Sequence, residues 1–217
     1  MKTRQTIKSL LFATLALGAM ALQSASASSV TYGFGRISSN STENVASQLQ
    51  MVVSSVGTTG ALFKFSNNIG IASSITDIYF DDIVAPGNLF SLISHSANSG
   101  SGVSFDSLAK PGELPGGNVV AFTTDFSGDS MKPTSPNGVN AADEWVSFLG
   151  TFASGKDFNG LVAALGDRSF RVGLHVQSIG IDGNSDSFVN TVPLPAAAWL
   201  FGSALFGFMM VSNRRKV

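Results

Sequence analysis

The chain has 217 residues, with 13 Lys and Arg, 14 Asp and Glu, and a formal net charge of −1 at pH 7. It contains no cysteine, which excludes disulfide bonds, thiol catalysis and cysteine-ligated zinc. Six basic residues belong to the two ends of the chain, so residues 28–190 carry seven positive and 14 negative charges, a net charge of −7. Because phosphates repel an acidic domain, nucleic acid is excluded as a partner.

The first 27 residues have the order of a secretory signal peptide. Three basic residues among the first eight are followed by an apolar run, Leu10–Leu22, and by the small-x-small site Ala25-Ser26-Ala27. An uncleaved membrane helix is the alternative, but the run is short for a span of about 20 residues. We therefore predict a cleaved signal peptide at residues 1–27 and export of the chain that follows.

Residues 28–190 are long enough for one domain with a real core, and the 23 glycines and 17 phenylalanines favour strands joined by tight turns. Alternating apolar positions predict eight to ten short strands. The predicted strands are Val30–Phe34, Gln48–Val56, Ala61–Ser66, Ile75–Asp82, Leu89–Ile93, Val103–Phe105, Asn118–Phe126, Glu144–Phe152, Phe170–Gln177 and Ser187–Asn190. We predict an all-β, antiparallel β-sandwich of the jelly-roll kind, with long loops at 110–117 and 127–142.

One segment has helical spacing. Phe158, Leu161, Val162 and Leu165 fall at i, i+3, i+4 and i+7 and form one apolar face. Asp157 is the predicted N-cap and Gly166 the predicted stop, which gives one short helix at the end of a sheet.

Motifs for catalysis are absent: the chain has no G-x-S-x-G elbow, P-loop, dinucleotide fingerprint or H-E-x-x-H. His175 and His95 have no visible partner, and we interpret His175 as an exposed strand residue. Glycoside hydrolysis requires two carboxyl groups at a set separation, and that separation is decided by the fold. A hydrolase that uses Glu43, Glu113 or Glu144 therefore remains an alternative. We predict a protein that is not an enzyme and has no cofactor.

Two further groups of residues are candidate ligand sites. Trp145, Phe148 and Phe152 would make an aromatic sugar platform, but alternation prevents Trp145 and Phe148 from sharing one strand face. Asp182, Asn184 and Asp186 have the spacing of the start of a calcium loop. Ser187 stands where that loop requires glycine and Pro193 where it requires glutamate, so a hairpin turn explains the same residues and calcium remains the alternative hypothesis.

The C-terminal segment, residues 191–217, has three parts in order. Val192-Pro193-Leu194-Pro195-Ala196 is followed by an uncharged apolar run at 196–211 and by the basic residues Arg214, Arg215 and Lys216. The apolar run would span about 24 Å as a helix, which is short against a hydrocarbon core of about 30 Å. The pattern predicts a marginal membrane helix with its basic end in the cytoplasm.

This tail resembles the PEP-CTERM sorting signal, in its V-P-L-P-A-A form with Leu194 where the name-giving pattern has glutamate. The resemblance implies a Gram-negative host, an exosortase that cuts near Pro193–Pro195, and a transient hold in the inner membrane before the chain reaches the cell surface or the medium. It also implies association with extracellular polysaccharide. The expected function is therefore that of a non-enzymatic surface or matrix protein of a biofilm, with a carbohydrate-binding module as the first alternative.

Overall fold

The structure is a computed structural model that describes residues 28–68 and 70–192. Its strands are β1 (Ser29–Tyr32), β2 (Phe34–Arg36), β3 (Leu49–Val56), β4 (Gly60–Asn67), β5 (Ser74–Asp82), β6 (Phe90–Ser99), β7 (Phe105–Ser107), β8 (Phe126–Ser130), β9 (Trp145–Phe152), β10 (Phe170–Ile179) and β11 (Asn184–Asn190). Its main helix is α1 (Phe158–Asp167), and shorter helical turns lie at Ala46–Gln48, Gly117–Val120 and Thr134–Asn137.

The strands form two antiparallel sheets. The five-stranded sheet has the order β1-β3-β4-β9-β6, and the six-stranded sheet has the order β2-β11-β10-β5-β8-β7. Residues of both sheets belong to one buried apolar cluster, so the sheets pack face to face as a β-sandwich. The prediction of an all-β, antiparallel domain with one short helix is confirmed at this level.

The core between the sheets is built from phenylalanine rings. Phe63 of the five-stranded sheet lies 5.3 Å from Phe80 and 5.9 Å from Phe170, both of the six-stranded sheet, measured between ring centroids. The pair with Phe80 is edge-to-face, an arrangement that the ring quadrupoles favour. On β4 the predicted alternation holds, since Phe63 and Phe65 are buried while Lys64 is exposed. Aromatic rings of the two sheets therefore contact one another directly in the core.

The first predicted strand, Val30–Phe34, is in fact two strands. β1 pairs with β3 in one sheet and β2 pairs with β11 in the other, so the chain crosses between the layers at Gly33. The carbonyl of Gly33 accepts a hydrogen bond from Thr191 N at 2.9 Å. This hydrogen bond places the C-terminal end of the described domain beside the crossing.

The predicted strand Asn118–Phe126 is wrong. Residues 117–120 form a helical turn, and Ala121 is left-handed with φ of 52°, so strand pairing resumes only at Phe126. Alternation was present, but Phe122 is buried against the outside of the six-stranded sheet rather than paired within it. The predicted loop at 127–142 likewise contains most of β8 and a helical turn.

The predicted N-cap of the helix is confirmed and its predicted stop is displaced. Asp157 accepts a hydrogen bond from Gly160 N at 2.8 Å, and Leu161 and Leu165 are buried in the core. The helix continues through Gly166, and Arg168 instead adopts the left-handed C-cap with φ of 70°. Because β10 begins at Phe170, the helix ends at the turn that leads into this strand and not at Gly166.

Within residues 28–68 and 70–192, no helix has the length and apolarity needed to cross a bilayer. The predicted signal peptide at 1–27 and the predicted membrane helix at 196–211 lie outside the described residues, as do the basic residues that end the chain.

Candidate functional site

The outer faces of the two sheets differ. A segment that we call the cover loop, residues 108–125, lies over the six-stranded sheet, and its Leu114 and Phe122 form a second buried cluster with Tyr79 and Val189. A Cβ on Gly173 of β10 would come within 2.6 Å of Leu114, so the loop approaches the sheet at this glycine. The outward side chains of the five-stranded sheet include exposed and half-buried residues. We call this second surface the open face, and list its central members: Gln50, Val52, Leu62, Lys64, Ser66 and Trp145.

Charged side chains lie in cross-strand register beneath the cover loop. Arg171 is opposite Asp81, and His175 is opposite Asp77. Arg171 forms a buried ion pair with Asp81 and also donates to the carbonyls of Val120 at 2.7 Å and Ala121 at 2.6 Å. Burial raises the pKa of Asp81, and the Arg171 charge offsets part of that increase. This ion pair therefore anchors the cover loop to the sheet.

The interpretation of His175 as an exposed residue without a partner is wrong. Its side chain is only 12% exposed, and its Nδ1 lies 2.9 Å from Oδ2 of Asp77. Asp77 also faces Asp129 across the β5–β8 pairing. Burial, together with the hydrogen bond and charge of Asp77, raises the pKa of Asp129 to about 6. A histidine and two carboxyl groups from three strands thus form one coupled cluster.

Base catalysis would need a nucleophile hydrogen-bonded to the imidazole. Ser187 of β11 is opposite His175 in register, but its buried Oγ makes no hydrogen bond to any described residue. The arrangement seen here orients His175 through Asp77 without linking it to a hydroxyl. His95, the other histidine, packs edge-on against Phe148 and is remote in register from the cluster.

The calcium candidates are engaged in holding a loop. Asp186 is buried and pairs with Arg36 at 2.6 Å, and its carboxylate also accepts from Ser38 Oγ and from the backbone N–H groups of Asn40 and Ser41. Thr42 Oγ1 donates to Asp182 at 2.9 Å, and Asn184 donates to the carbonyl of Asn40 at 3.1 Å. Among the described residues, no group of three or more histidine and carboxylate side chains is placed to hold a metal ion.

Several other carboxylates bind backbone N–H groups at strand ends. Asp82 accepts from Leu89 N and Phe90 N, at 2.9 and 2.8 Å. Glu144 accepts from the N–H groups of residues 140 and 141, at 2.7 and 3.0 Å. Glu113 accepts from Thr124 N within the cover loop, on the side of the six-stranded sheet. Glu113 and Glu144 are therefore on opposite sides of the sandwich and do not form a pair.

The open face contains a groove beside Trp145. Trp145 is half-buried on this face, whereas Phe148 points into the core, as alternation predicted. Lys64 Nζ lies 4.7 Å from the centroid of the indole ring, a cation–π contact. The groove has a volume of about 260 Å³. It is lined by Gln50, Val52, Lys64, Ser66, Asn68, Ala142, Asp143, Glu144 and Trp145.

Three polar side chains in this groove have unused hydrogen-bonding capacity. No hydrogen bond joins the side chain of Gln50, Ser66 or Asn68 to another described residue. Each amide carries two donor hydrogens and an acceptor oxygen. The groove therefore presents an aromatic plane next to polar groups that are free to bind a ligand.

The sequence identified Trp145 but not its neighbours. Ser66 is opposite Trp145 in the β4–β9 pairing, and Gln50 is opposite Ser66 in the β3–β4 pairing. Alternation along each strand places these residues outward, and that signal was available. Which strands are adjacent, and in what register, is decided by the fold.

The chain matches no family model, no curated protein and no solved structure. Of the predicted sorting motif, Val192 is the last described residue and is exposed, and the motif from Pro193 onward lies outside the described residues.

Proposed function

We propose that the chain is a non-enzymatic protein of the cell surface or extracellular matrix, exported with a signal peptide and cut by an exosortase near Pro193–Pro195. The observation that carries this proposal is the three-part tail, in which a proline motif, an apolar run and three basic residues follow directly on a folded domain. On this proposal the protein is held in the inner membrane only until it is cut, and then becomes associated with extracellular polysaccharide.

The end of the domain supports processing at this motif. β11 ends at Asn190 inside the six-stranded sheet, and Thr191 and Val192 are exposed. The residues before the cut are thus fixed by the fold, while the cleavage motif begins just past the last strand. A processing enzyme could reach a motif at this distance without disturbing the sheet.

The buried charged groups support a structural role for the domain. Arg171–Asp81 anchors the cover loop, and Arg36–Asp186 anchors the 38–42 loop. Asp81 and Asp186, two of the most deeply buried carboxylates, therefore hold loops against strands.

The sorting proposal is tested in a Gram-negative host with and without its exosortase gene. Wild-type chain is expected to lose its tail and to appear at the surface or in the medium, and to remain full-length in the inner membrane when the exosortase is absent. The double variant Pro193→Ala, Pro195→Ala is expected to remain full-length in both hosts. Pro136→Ala, an exposed proline of the domain, is the matched control and is expected to be processed normally. Equal processing with and without exosortase would overturn the proposal.

A further inference from the structure

We propose that the groove on the open face binds a neutral saccharide, with a sugar ring against Trp145 and its hydroxyls hydrogen-bonded to Gln50 and Asn68. This inference depends on the proposed function only for the source of the saccharide, which would be the extracellular polysaccharide around the cell.

The position of Trp145 favours a ligand-binding role for its ring. The inward residues of β9, Val146 and Phe148, are the ones that fill the core, whereas Trp145 points to the opposite side of the sheet. Most of the residues that line the groove with it are polar. The C–H groups on one face of a pyranose carry partial positive charge, and they pack well on the electron-rich face of an indole.

The hydrogen-bonding groups around the ring match hydroxyls. A sugar hydroxyl both donates and accepts, and an amide side chain offers both functions at one place. Gln50 and Asn68 lie on the β3–β4 side of Trp145, and their side chains have no hydrogen-bond partner among the described residues. Most residues of the groove lining are polar, and Val52, Ala142 and Trp145 are the apolar ones, a composition that suits a ligand rich in hydroxyls.

Charge selects a neutral ligand. Residues 28–192 carry seven positive and 14 negative charges, so the domain repels nucleic acid and anionic lipid at long range. Among the described residues that line the groove, Lys64 is the only basic one, and Asp143 and Glu144 lie in the same lining. A phosphate or a sulfate would therefore meet one cation and two carboxylates, whereas a neutral glycan avoids this repulsion.

The size of the groove fits part of a polymer. Its volume of about 260 Å³ lies just below the range of about 300–1,000 Å³ that encloses a drug-sized ligand. It lies on an open sheet surface, so a glycan chain can extend beyond it in either direction. The Lys64 side chain is exposed and flexible, and it can move off the indole when a sugar ring stacks there.

The test uses the full chain purified in mild detergent, in a Trp199→Phe background that leaves Trp145 as the only tryptophan. The probes are dextran, mannan and cellohexaose as neutral glycans, alginate as an acidic glycan, and phosphatidylglycerol vesicles. Trp145 fluorescence is expected to change in a saturable manner with at least one neutral glycan, and not with the vesicles. Binding of each variant is then measured by isothermal titration calorimetry, which does not depend on the fluorophore.

Trp145→Leu is expected to weaken binding about tenfold or more, and Trp145→Phe to retain most of the affinity, because stacking needs an aromatic ring. Gln50→Ala and Asn68→Ala are expected to weaken it by smaller factors. Asn118→Ala, an exposed asparagine of the cover loop, is the matched control and should bind as wild type. Each variant must retain the wild-type near-ultraviolet circular dichroism spectrum.

Three results would overturn the inference: no binding of any neutral glycan, binding that Trp145→Leu leaves unchanged, or binding confined to alginate or the vesicles. Failure of this test leaves tail processing in cells intact, whereas failure of the sorting proposal leaves binding by purified protein intact. The two failures are therefore distinguishable.

Discussion

Replacing Asp129 by asparagine is expected to stabilise the protein at neutral pH. Asp129 of β8 faces Asp77 of β5, and Asp106 of β7 is its other cross-strand neighbour, so three carboxyl groups lie in one row. Asp77 already accepts from Thr76 Oγ1 at 2.8 Å and lies 2.9 Å from Nδ1 of His175. An amide at position 129 would remove one charge from the row and could donate a hydrogen bond to Asp77.

The magnitude follows from the pKa of Asp129. Burial and the nearby Asp77 raise this pKa from 3.8 to about 6, and Lys110 lowers it only in part. A tenfold change in proton affinity is worth about 1.4 kcal/mol, so this increase in pKa corresponds to about 3 kcal/mol at full strength. Because Asp129 is still partly exposed to water, we expect a gain of about 1–2 kcal/mol in the free energy of unfolding at pH 7.

The pH dependence has a definite sign. Between pH 4 and pH 6 the folded protein holds a proton on Asp129 that the unfolded chain has lost, so protonation stabilises the fold. This contribution is fully present below pH 3.8 and is lost as the pH rises through about 6. The advantage of Asp129→Asn over wild type should therefore shrink as the pH falls from 7 to 4.

Urea unfolding at pH 4, 5, 6 and 7 measures this difference directly. Asp106→Asn is the control, because Asp106 is exposed and its replacement should change stability by no more than about 0.5 kcal/mol. The proposed repulsion between Asp129 and Asp77 is wrong if Asp129→Asn is no more stable than wild type at pH 7. It is also wrong if the variant's gain in stability is the same at pH 4 as at pH 7.

Three further predictions concern the loops. Gly173→Ala should lower the free energy of unfolding by about 1–3 kcal/mol and make the cover loop more sensitive to protease, because the new Cβ would lie 2.6 Å from Leu114. Gly112→Ala is the control and should change stability little, because no atom lies within 4 Å of its new Cβ. Arg36→Met should cost about 3–5 kcal/mol in urea unfolding by leaving Asp186 buried and unpaired, and a loss below 1 kcal/mol would contradict the ion pair. Since that carboxylate is already neutralised, adding EDTA should not change the melting temperature; a decrease would favour the calcium hypothesis for this turn.

The parts of the fold that follow local rules could be predicted from the sequence. On β4 and β10, alternating residues identify the inward face correctly, because burial between two layers imposes a period of two. The N-cap at Asp157 was also predictable, since it depends only on the next few residues. The prediction of a strand at Asn118–Phe126 is wrong because the apolar alternation there, which includes Phe122, packs a loop against the sheet. A local apolar pattern predicts that a side chain is buried, but it does not identify the surface against which that side chain packs.

The sites depend on contacts between distant strands, which a single sequence does not contain. Asp77 and His175 are 98 residues apart, and they meet only because β5 and β10 are neighbours in a given register. A bulge between His175 and Val176 shifts that register by one position. One residue of slip would reverse the face on which Asp77 lies. The pairing of His175 with Asp77 therefore could not be predicted without the order and register of the strands.

The division of polar groups between the two outer faces explains why the open face is the better place for a ligand. Beneath the cover loop, Arg171 is bound to a carboxylate and to two backbone carbonyls, so a ligand there would have to displace interactions that hold the loop. On the open face, the side chains of Gln50 and Asn68 have no hydrogen-bond partner among the described residues, so a ligand there would displace water. The free energy of binding is the gain from new hydrogen bonds minus the cost of the bonds that they replace. The same number of new hydrogen bonds therefore gives tighter binding beside Trp145 than beneath the cover loop.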